Sequence, residues 1–183
     1  HGVTWTNIWN GLQIMQFYKI SGVEANQNLL LGGAQDNGSN KYTGSTTIEH
    51  ILGGDGMDNM IDYNNNNNLY YSFQNGGLQR STNGGTTSVG IQPGGSTGAW
   101  VTPYAMDATN PSIIYGGYSD VYRSTNMGTT WTNLGSDGRG AIAVGINDPS
   151  RLYAANGSTL QTSANTGGSW TTISGALPAL TIT

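Results

Sequence analysis

The chain of 183 residues carries a net charge of −4, contains no cysteine and has only six Lys and Arg residues. So few basic residues argue against a nucleic-acid partner, and no run of about 18 apolar residues is present that would insert into a membrane. The lack of cysteine excludes disulfides, zinc–thiolate sites and thiol catalysis.

A β-rich chain is predicted from the abundance of glycine together with regularly placed apolar and aromatic residues. The 29 Gly residues favour tight turns, while ten Tyr and five Trp argue against disorder. No segment longer than about ten residues carries helical periodicity. We therefore predict an all-β fold built from many short strands.

Four strands, termed a to d, are predicted in each repeating unit. In chain order, strand a is predicted at 17–22, 59–63, 104–108 and 141–146, and strand b at 29–34, 69–74, 113–118 and 151–155. Strand c is predicted at 78–81, 121–124 and 160–163, and a tight turn joins it to strand d. Turns rich in Asn, Asp or Pro separate strands a and b, because these residues favour turn dihedral angles.

An eight-residue motif occupies the turn between strands c and d. It reads Ser-x-Asn-x-Gly-x-Thr-Trp at 124–131, carries Ser in place of Thr at 163–170, and lacks the Trp in the copy that begins at Ser81. Partial copies surround two further glycines, so the motif recurs about every 41 residues. The glycines that mark the repeat are Gly2, Gly44, Gly85, Gly128 and Gly167.

The motif residues are predicted to be structural. Ser and Asn side chains can bond the backbone of a tight turn, Gly adopts dihedral angles that other residues avoid, and Trp buries a large ring between units. The residues assigned to this role are Ser81, Asn83, Gly85, Ser124, Asn126, Gly128, Trp131, Ser163, Asn165, Gly167 and Trp170.

Four antiparallel strands per unit of about 40 residues are typical of a β-propeller blade. We predict that residues 1–183 form one contiguous part of a β-propeller, about four blades of a larger ring. Trp5 and Trp170 occupy the same point of the repeat. We therefore expect the remainder of a longer chain to be a partner of these blades.

The motif resembles the Asp-box, or bacterial neuraminidase repeat (BNR), whose consensus is Ser-x-Asp-x-Gly-x-Thr-Trp. Asn83, Asn126 and Asn165 stand where that family has Asp. The segments 32–38 and 53–56 are similar to those of sortilin-like and xyloglucanase-like secreted bacterial propellers. The resemblance implies an extracellular or bacterial cell-surface location, and ligand sites on the face opposite the motif turns.

That opposite face, here called the upper face, is formed by the d–a and b–c connections. Asp36 and Asp55 lie in Gly-flanked turns of adjacent loops, and we select them as the candidate catalytic pair because glycoside hydrolysis uses two carboxylates. The same connections hold acids, amides and aromatic rings of the kind that bind sugars. These candidate ligand-binding residues are Trp9, Gln35, Glu49, Asp58, Gln74, Trp100, Tyr118, Asp120, Asp137 and Arg139. For each of them a turn-forming or packing role is the alternative.

No cofactor is expected, with calcium as the alternative. Asp55, Asp58 and Glu49 offer hard oxygen ligands within ten residues, although their spacing does not match an EF-hand loop.

Two classes of function remain open. The first is a non-catalytic extracellular module that binds polysaccharide or protein, or serves in adhesion. The second is a glycoside hydrolase of the xyloglucanase type; a sialidase fits less well, because the resemblance would require three converging arginines and the chain has four, two of them beside the motif. A sortilin-like peptide receptor is a further alternative.

Overall fold

The structure, a computed structural model, describes residues 3, 4, 6 and 14–175. Within this part of the chain the strands form four separate antiparallel sheets, and each sheet uses four strands that are consecutive in the sequence. The prediction of an all-β chain of four-stranded units is confirmed. We call the sheets blades I to IV.

Each blade runs from an inner strand a to an outer strand d. Blade I contains β1 (Phe17–Val23), β2 (Asn26–Ala34), β3 (Gly38–Tyr42) and β4 (Glu49–Leu52). Blade II contains β5 (Gly56–Ile61), β6 (Leu69–Phe73), β7 (Gly77–Ser81) and β8 (Val89–Gly90), with a 3-10 turn at Gln74–Gly76. Blade III contains β9 (Tyr104–Met106), β10 (Ile114–Gly117), β11 (Val121–Ser124) and β12 (Thr132–Asn133). Blade IV contains β13 (Ala141–Val144), β14 (Leu152–Asn156), β15 (Thr159–Ser163) and β16 (Thr171–Thr172).

The hydrophobic core is divided into layers between successive blades. Alternate side chains of a strand point to opposite faces of its sheet. In β6, Leu69 therefore packs with Leu31 of blade I, while Tyr70 packs with Ile114 of blade III. In blades II and III, strand b is covered on both faces, which explains its apolar and small residues.

The motif turns are held by their own side chains. Ser124 Oγ accepts hydrogen bonds from the backbone N–H groups of Asn126 (3.2 Å) and Gly128 (2.8 Å). Asn126 Oδ1 accepts the N–H of Thr130 (2.9 Å), and Asn126 Nδ2 donates to the Thr130 hydroxyl (2.9 Å). The same bonds recur at 81–87 and 163–169. Gly128 has a φ of +83°, which other residues adopt only with strain.

The two motif tryptophans connect neighbouring blades. The indole N–H of Trp131 donates to the Ile91 carbonyl at 2.6 Å, and that of Trp170 donates to the Leu134 carbonyl at 2.8 Å. Each acceptor follows the outer strand of the preceding blade. Both rings are half-buried, so each ring combines packing with a directed bond.

Basic side chains on strand c make a second set of contacts between blades. Lys41 Nζ donates to the Gly84 carbonyl and Arg80 Nη1 donates to the Met127 carbonyl, both at 2.7 Å. Each carbonyl precedes the motif glycine of the next blade. Arg123 occupies the equivalent position in blade III but bonds Tyr115 Oη at 3.2 Å instead.

The motif turns and the a–b turns lie on one common face. The residue before the motif glycine donates its N–H to an a–b turn carbonyl in three blades: Gly84 to Asn67, Met127 to Ser112, and Thr166 to Ser150. The d–a and b–c connections therefore form the opposite, upper face, because antiparallel strands alternate in direction.

Blade I and the start of blade II differ from the sequence-based expectation. Glu49 and Asp58 were expected in loops of the upper face, but Glu49–Leu52 forms β4 and Asp58 lies within β5 (Gly56–Ile61). Strand c of blade I was not predicted, because the motif copy around Gly44 lacks the Ser and Asn that mark the other turns. No helix of the described ranges is long and apolar enough to cross a membrane.

Candidate functional site

Three connections meet on the upper face of blades I and II. The backbone N–H of Asp36 donates to Asp55 Oδ1 at 2.8 Å, and the N–H of Asp55 donates to Gln74 Oε1 at 3.3 Å. Asp36 lies in the β2–β3 turn, Asp55 between the blades, and Gln74 in the β6–β7 turn. The structure thus brings the predicted pair Asp36 and Asp55 together, with Gln74 beside them.

The Asp36 turn explains part of this geometry. Asp36 adopts a φ of +57°, in the left-handed region that Asp and Asn tolerate better than most residues. Its own side chain is exposed and has no recorded protein partner among the described residues. The Asp55 carboxylate, in contrast, holds the neighbouring turn through the Asp36 N–H.

An exposed indole lies on the same face. Trp100 is 50% exposed, and its Nε1 donates to Tyr18 Oη of β1 at 3.3 Å. The Trp100 carbonyl accepts the N–H of Asn75, next to Gln74, at 3.3 Å. Trp100 therefore links the loop before blade III to the inner strand of blade I. We call Tyr18, Asp36, Asp55, Gln74 and Trp100 the upper cluster.

A shallow groove of about 370 Å³ adjoins the upper cluster. Its lining includes Phe73, Gln74, Asn75, Ser96 and Thr97, and every lining residue is uncharged. An aromatic ring beside amide and hydroxyl groups can bind a sugar by stacking and hydrogen bonding. A larger groove of about 510 Å³ lies at the outer rim between blades II and III and includes Arg80, Tyr122 and Trp131.

Asp58 does not lie in a loop but in the inner strand β5, where it joins two blades. Its Oδ2 accepts the backbone N–H of Tyr104 in β9 at 3.0 Å, and its Oδ1 accepts the N–H of Asn59 at 2.8 Å. Burial raises the pKa of the Asp58 carboxyl above its ordinary value, although both N–H groups and the Lys19 ammonium act in the opposite direction. Asp58 is therefore a half-buried carboxyl with increased proton affinity.

Tyr118 was expected on the ligand face, but it belongs to the core between blades II and III. Its ring is fully buried, and its hydroxyl donates to the Gly76 carbonyl at 2.8 Å and bonds the Tyr104 hydroxyl at 2.9 Å. Burial raises the pKa of Tyr118 to about 12, so the phenol is neutral. A ligand on the surface has no access to this side chain.

Three predicted ligand-binding residues lie at blades III and IV and are not part of the upper cluster: Asp120, Asp137 and Arg139. Asp137 and Arg139 form an ion pair with a distance of 2.5 Å, and Asn156 Nδ2 donates to Asp137 at 2.9 Å. Burial would raise the pKa of Asp137, but the bonds from Arg139 and Asn156 outweigh it and lower that pKa. Asp120 accepts a bond from Asn133 Nδ2 at 2.9 Å.

The remaining predicted residues are placed as follows. Glu49 lies in β4 at the motif-turn end and pairs with Lys41 at 2.8 Å, so it is not on the upper face. Gln35 lies in the Asp36 turn, and Trp9 lies outside the described residues. Glu49, Asp55 and Asp58 form no group that could hold a metal ion, so the structure does not support the calcium alternative.

The sequence analysis did not identify one residue of the upper cluster and two structural residues of the a–b turns. Tyr18 lies in a strand, and nothing in the sequence indicates that Trp100 reaches it across two blades. Asp62 and Asp107 follow strand a in blades II and III, and each accepts two backbone N–H groups of its own a–b turn. Their equivalent repeat positions would have indicated this structural role.

The chain has the fold of known β-propellers. It superposes on an ancestral GH74 enzyme with a TM-score of 0.69 and 17% identity, covering 86% of this chain and 24% of that one. The superposition on the GH74 xyloglucanase from Xanthomonas campestris has a TM-score of 0.54 and 14% identity, and it covers 86% of this chain and 38% of that one. The superposition on YCF48 from Cyanidioschyzon merolae has a TM-score of 0.57 and 16% identity, and it covers 86% of this chain and 56% of that one.

These likenesses establish the fold, and the chain spans between 24% and 56% of the three solved chains. No protein-family model matches the sequence, and no curated protein matches it.

Proposed function

We propose that the chain is an extracellular or cell-surface β-propeller module, four blades of a larger ring, whose upper face binds polysaccharide. The observation that carries this proposal is the upper cluster, in which an exposed indole is bonded to Tyr18 and is linked through the Trp100 carbonyl to Asn75, next to the amide and carboxylate groups of three connections. The fold likeness to glycoside hydrolases supports a polysaccharide as the ligand class.

The contacts of the Asp55 carboxylate favour binding over catalysis. The Asp55 carboxylate accepts the Asp36 N–H and so holds a neighbouring turn. A nucleophile or general acid must instead direct its carboxyl to the substrate. We therefore assign Asp36 and Asp55 to ligand contact and loop positioning.

We also infer that the motif turns are an Asn form of the Asp-box. Asn126 Oδ1 accepts the same kind of backbone N–H that a carboxylate would accept, while its Nδ2 adds a bond to the Thr130 hydroxyl. With Asp at this position the hydroxyl would reverse its direction and donate, so both residue types fit the turn.

Binding is tested by affinity electrophoresis in gels that contain soluble neutral polysaccharides, xyloglucan among them. Trp100→Ala is expected to weaken binding about tenfold, because it removes the exposed stacking surface. The matched control is Val89→Ala, at a residue that is 55% exposed but lies in the outer strand β8. Equal retardation of both variants and wild type would contradict the proposal.

Glycoside hydrolysis is the second candidate function, and one observation favours it. The Asp36 turn meets the Asp55 carboxylate on the upper face, and glycoside hydrolysis uses two carboxylates. Release of reducing ends from xyloglucan, abolished in Asp36→Asn and in Asp55→Asn with folding intact, would support the hydrolase. Binding without turnover would support the module.

A further inference from the structure

The groove at the outer rim between blades II and III combines a cation with aromatic rings. Among the described residues that line it, Arg80 is the only charged one. The other polar and aromatic lining residues are Gln92, Tyr122, Thr129, Thr130 and Trp131. We call this groove, with its volume of about 510 Å³, the rim groove.

The Arg80 guanidinium is only partly satisfied by the protein. Nη1 donates to the Met127 carbonyl at 2.7 Å and to Thr129 Oγ1 at 3.3 Å. Nε is buried and has no hydrogen-bond partner among the described residues, and Arg80 forms no ion pair with any of them. The guanidinium therefore retains donors for a carboxylate, which arginine binds through charge-assisted, often bidentate hydrogen bonds.

The equivalent cation of blade I shows where such a carboxylate fits. Lys41 in strand c is the register partner of Glu49 in strand d, and their charged groups are 2.8 Å apart. In blade II the same register places Arg80 opposite Val89. Val89 is 55% exposed and lines the rim groove. The position of the blade I carboxylate is thus taken in blade II by a short apolar side chain beside an open groove.

We propose that the rim groove binds the carboxylate of a uronic acid residue in an acidic polysaccharide. The ligand carboxylate lies beside Arg80 as the Glu49 carboxylate lies beside Lys41. The half-buried rings of Tyr122 and Trp131 offer surfaces for the sugar ring, and the neighbouring amide and hydroxyl groups can bond its hydroxyls. The choice of a saccharide rests on the proposed function, and the acidic group and its site extend that function.

The local backbone favours a saccharide over a peptide. An extended peptide binds a sheet edge through a ladder of backbone hydrogen bonds. The outer strand β8 consists of Val89–Gly90 alone, and Pro93, which follows it, has no N–H to donate. This edge is too short for such a ladder.

The rim groove and the upper cluster differ in charge. Gln92 lines both the rim groove and the shallow groove beside the upper cluster, so the two sites adjoin. The upper cluster carries the carboxylates of Asp36 and Asp55, which repel an anionic sugar, whereas the rim groove carries the Arg80 cation. The Asp120 carboxylate does not line the rim groove and is already hydrogen-bonded. An acidic sugar therefore selects the rim groove.

The test is isothermal titration calorimetry with trigalacturonate and with its methyl ester, which is the same sugar without the charge. Wild type should bind the acid about tenfold more tightly than the ester, because the ester lacks the group that Arg80 recognises. Added salt should weaken binding of the acid. The net charge of −4 repels acidic oligosaccharides in general, so binding reports a local cationic site.

Val89→Glu and Val89→Gln form a matched pair of variants. Val89→Glu gives Arg80 an internal carboxylate, as Glu49 gives Lys41, and should lower the affinity for trigalacturonate about tenfold. Val89→Gln has the same size without the charge and should bind within about twofold of wild type. Circular dichroism checks that both variants fold, which is expected at an exposed position.

Three results would overturn the inference: no binding of trigalacturonate to wild type, equal affinity for the acid and its ester, or equal affinities of the two Val89 variants. A triglutamate peptide that binds as tightly as trigalacturonate would contradict the saccharide and assign the groove to acidic peptides.

The outcome is separable from the upper-face proposal. Trp100→Ala should bind trigalacturonate as wild type does, because Trp100 does not line the rim groove. Val89→Glu should bind xyloglucan as wild type does, because a neutral polysaccharide has no carboxylate for Arg80. Failure of the rim groove therefore leaves xyloglucan binding intact, and failure of the upper face leaves trigalacturonate binding intact.

Discussion

At the residue scale, the motif turns show how two side chains and a glycine fix a hairpin. A buried serine hydroxyl and an asparagine amide together satisfy the backbone groups of each turn. This role could be derived from the sequence, because Ser, Asn and Gly recur at fixed spacing in positions typical of tight turns. The direction in which Tyr118 points could not, because a residue at the end of a strand can face either the surface or the next blade.

Replacing Ser124 by Ala should lower the free energy of unfolding by about 1–3 kcal/mol, because it leaves buried N–H donors without a partner. Urea unfolding followed by tryptophan fluorescence measures the change. Thr125→Ala is the control, since Thr125 is exposed in the same turn. A Ser124 variant as stable as the control would show that the hydroxyl is dispensable.

The carboxyls of Asp58 and Asp137 should affect the pH dependence of stability with opposite signs. The pKa of Asp58 is raised, so its folded form binds the proton more tightly than its unfolded form. The contribution of Asp58 to stability is therefore present at low pH and is lost as the pH rises through the folded pKa. The pKa of Asp137 is lowered, so its contribution is present above the unfolded pKa and is lost as the pH falls through the folded pKa.

Urea unfolding of wild type, Asp58→Asn and Asp137→Asn between about pH 3 and about pH 7 measures both contributions. The stability of wild type relative to Asp58→Asn should fall with increasing pH, and that relative to Asp137→Asn should rise. Slopes of the same sign for the two variants would contradict the assigned pKa directions.

At the element scale, indole bonds join blade II to blade III and blade III to blade IV, while strand-c cations join blade I to blade II and blade II to blade III. Strands b and c could be predicted where apolar runs are flanked by Gly and turn residues. Blade I was less predictable because its motif is degenerate, and the Lys41–Glu49 pair that accompanies β4 has no counterpart in the other blades. The placement of Glu49 in a loop was wrong for the same reason.

Trp131→Ala should destabilise the protein by about 3 kcal/mol, because it removes a half-buried ring and the bond to Ile91 at the blade II–III boundary. Trp131→Phe keeps most of the packing and loses the bond, so a cost of about 1 kcal/mol is expected. Thermal unfolding by circular dichroism compares them. Equal stability of all three proteins would place the ring outside the cooperative core.

At the scale of the whole molecule, the repeat determines the fold and the connections determine the candidate site. The upper face could be predicted from the position of the motif turns, and the meeting of Asp36 with Asp55 follows from their adjacent loops. The contact of Trp100 with Tyr18 depends on the curvature of three successive blades, which no local sequence pattern encodes. The fold alone therefore does not determine the function, which depends on this cluster.

Hydrogen exchange of backbone amides, with and without a xyloglucan oligosaccharide, tests the upper-face assignment most directly. Slower exchange is expected in the four connections that contribute to the upper cluster, at 34–38, 53–56, 74–77 and 98–101. The motif turns at 81–87, 124–130 and 163–169 should be unchanged. Protection confined to the motif turns, or absent from the upper segments at saturating ligand, would contradict the account.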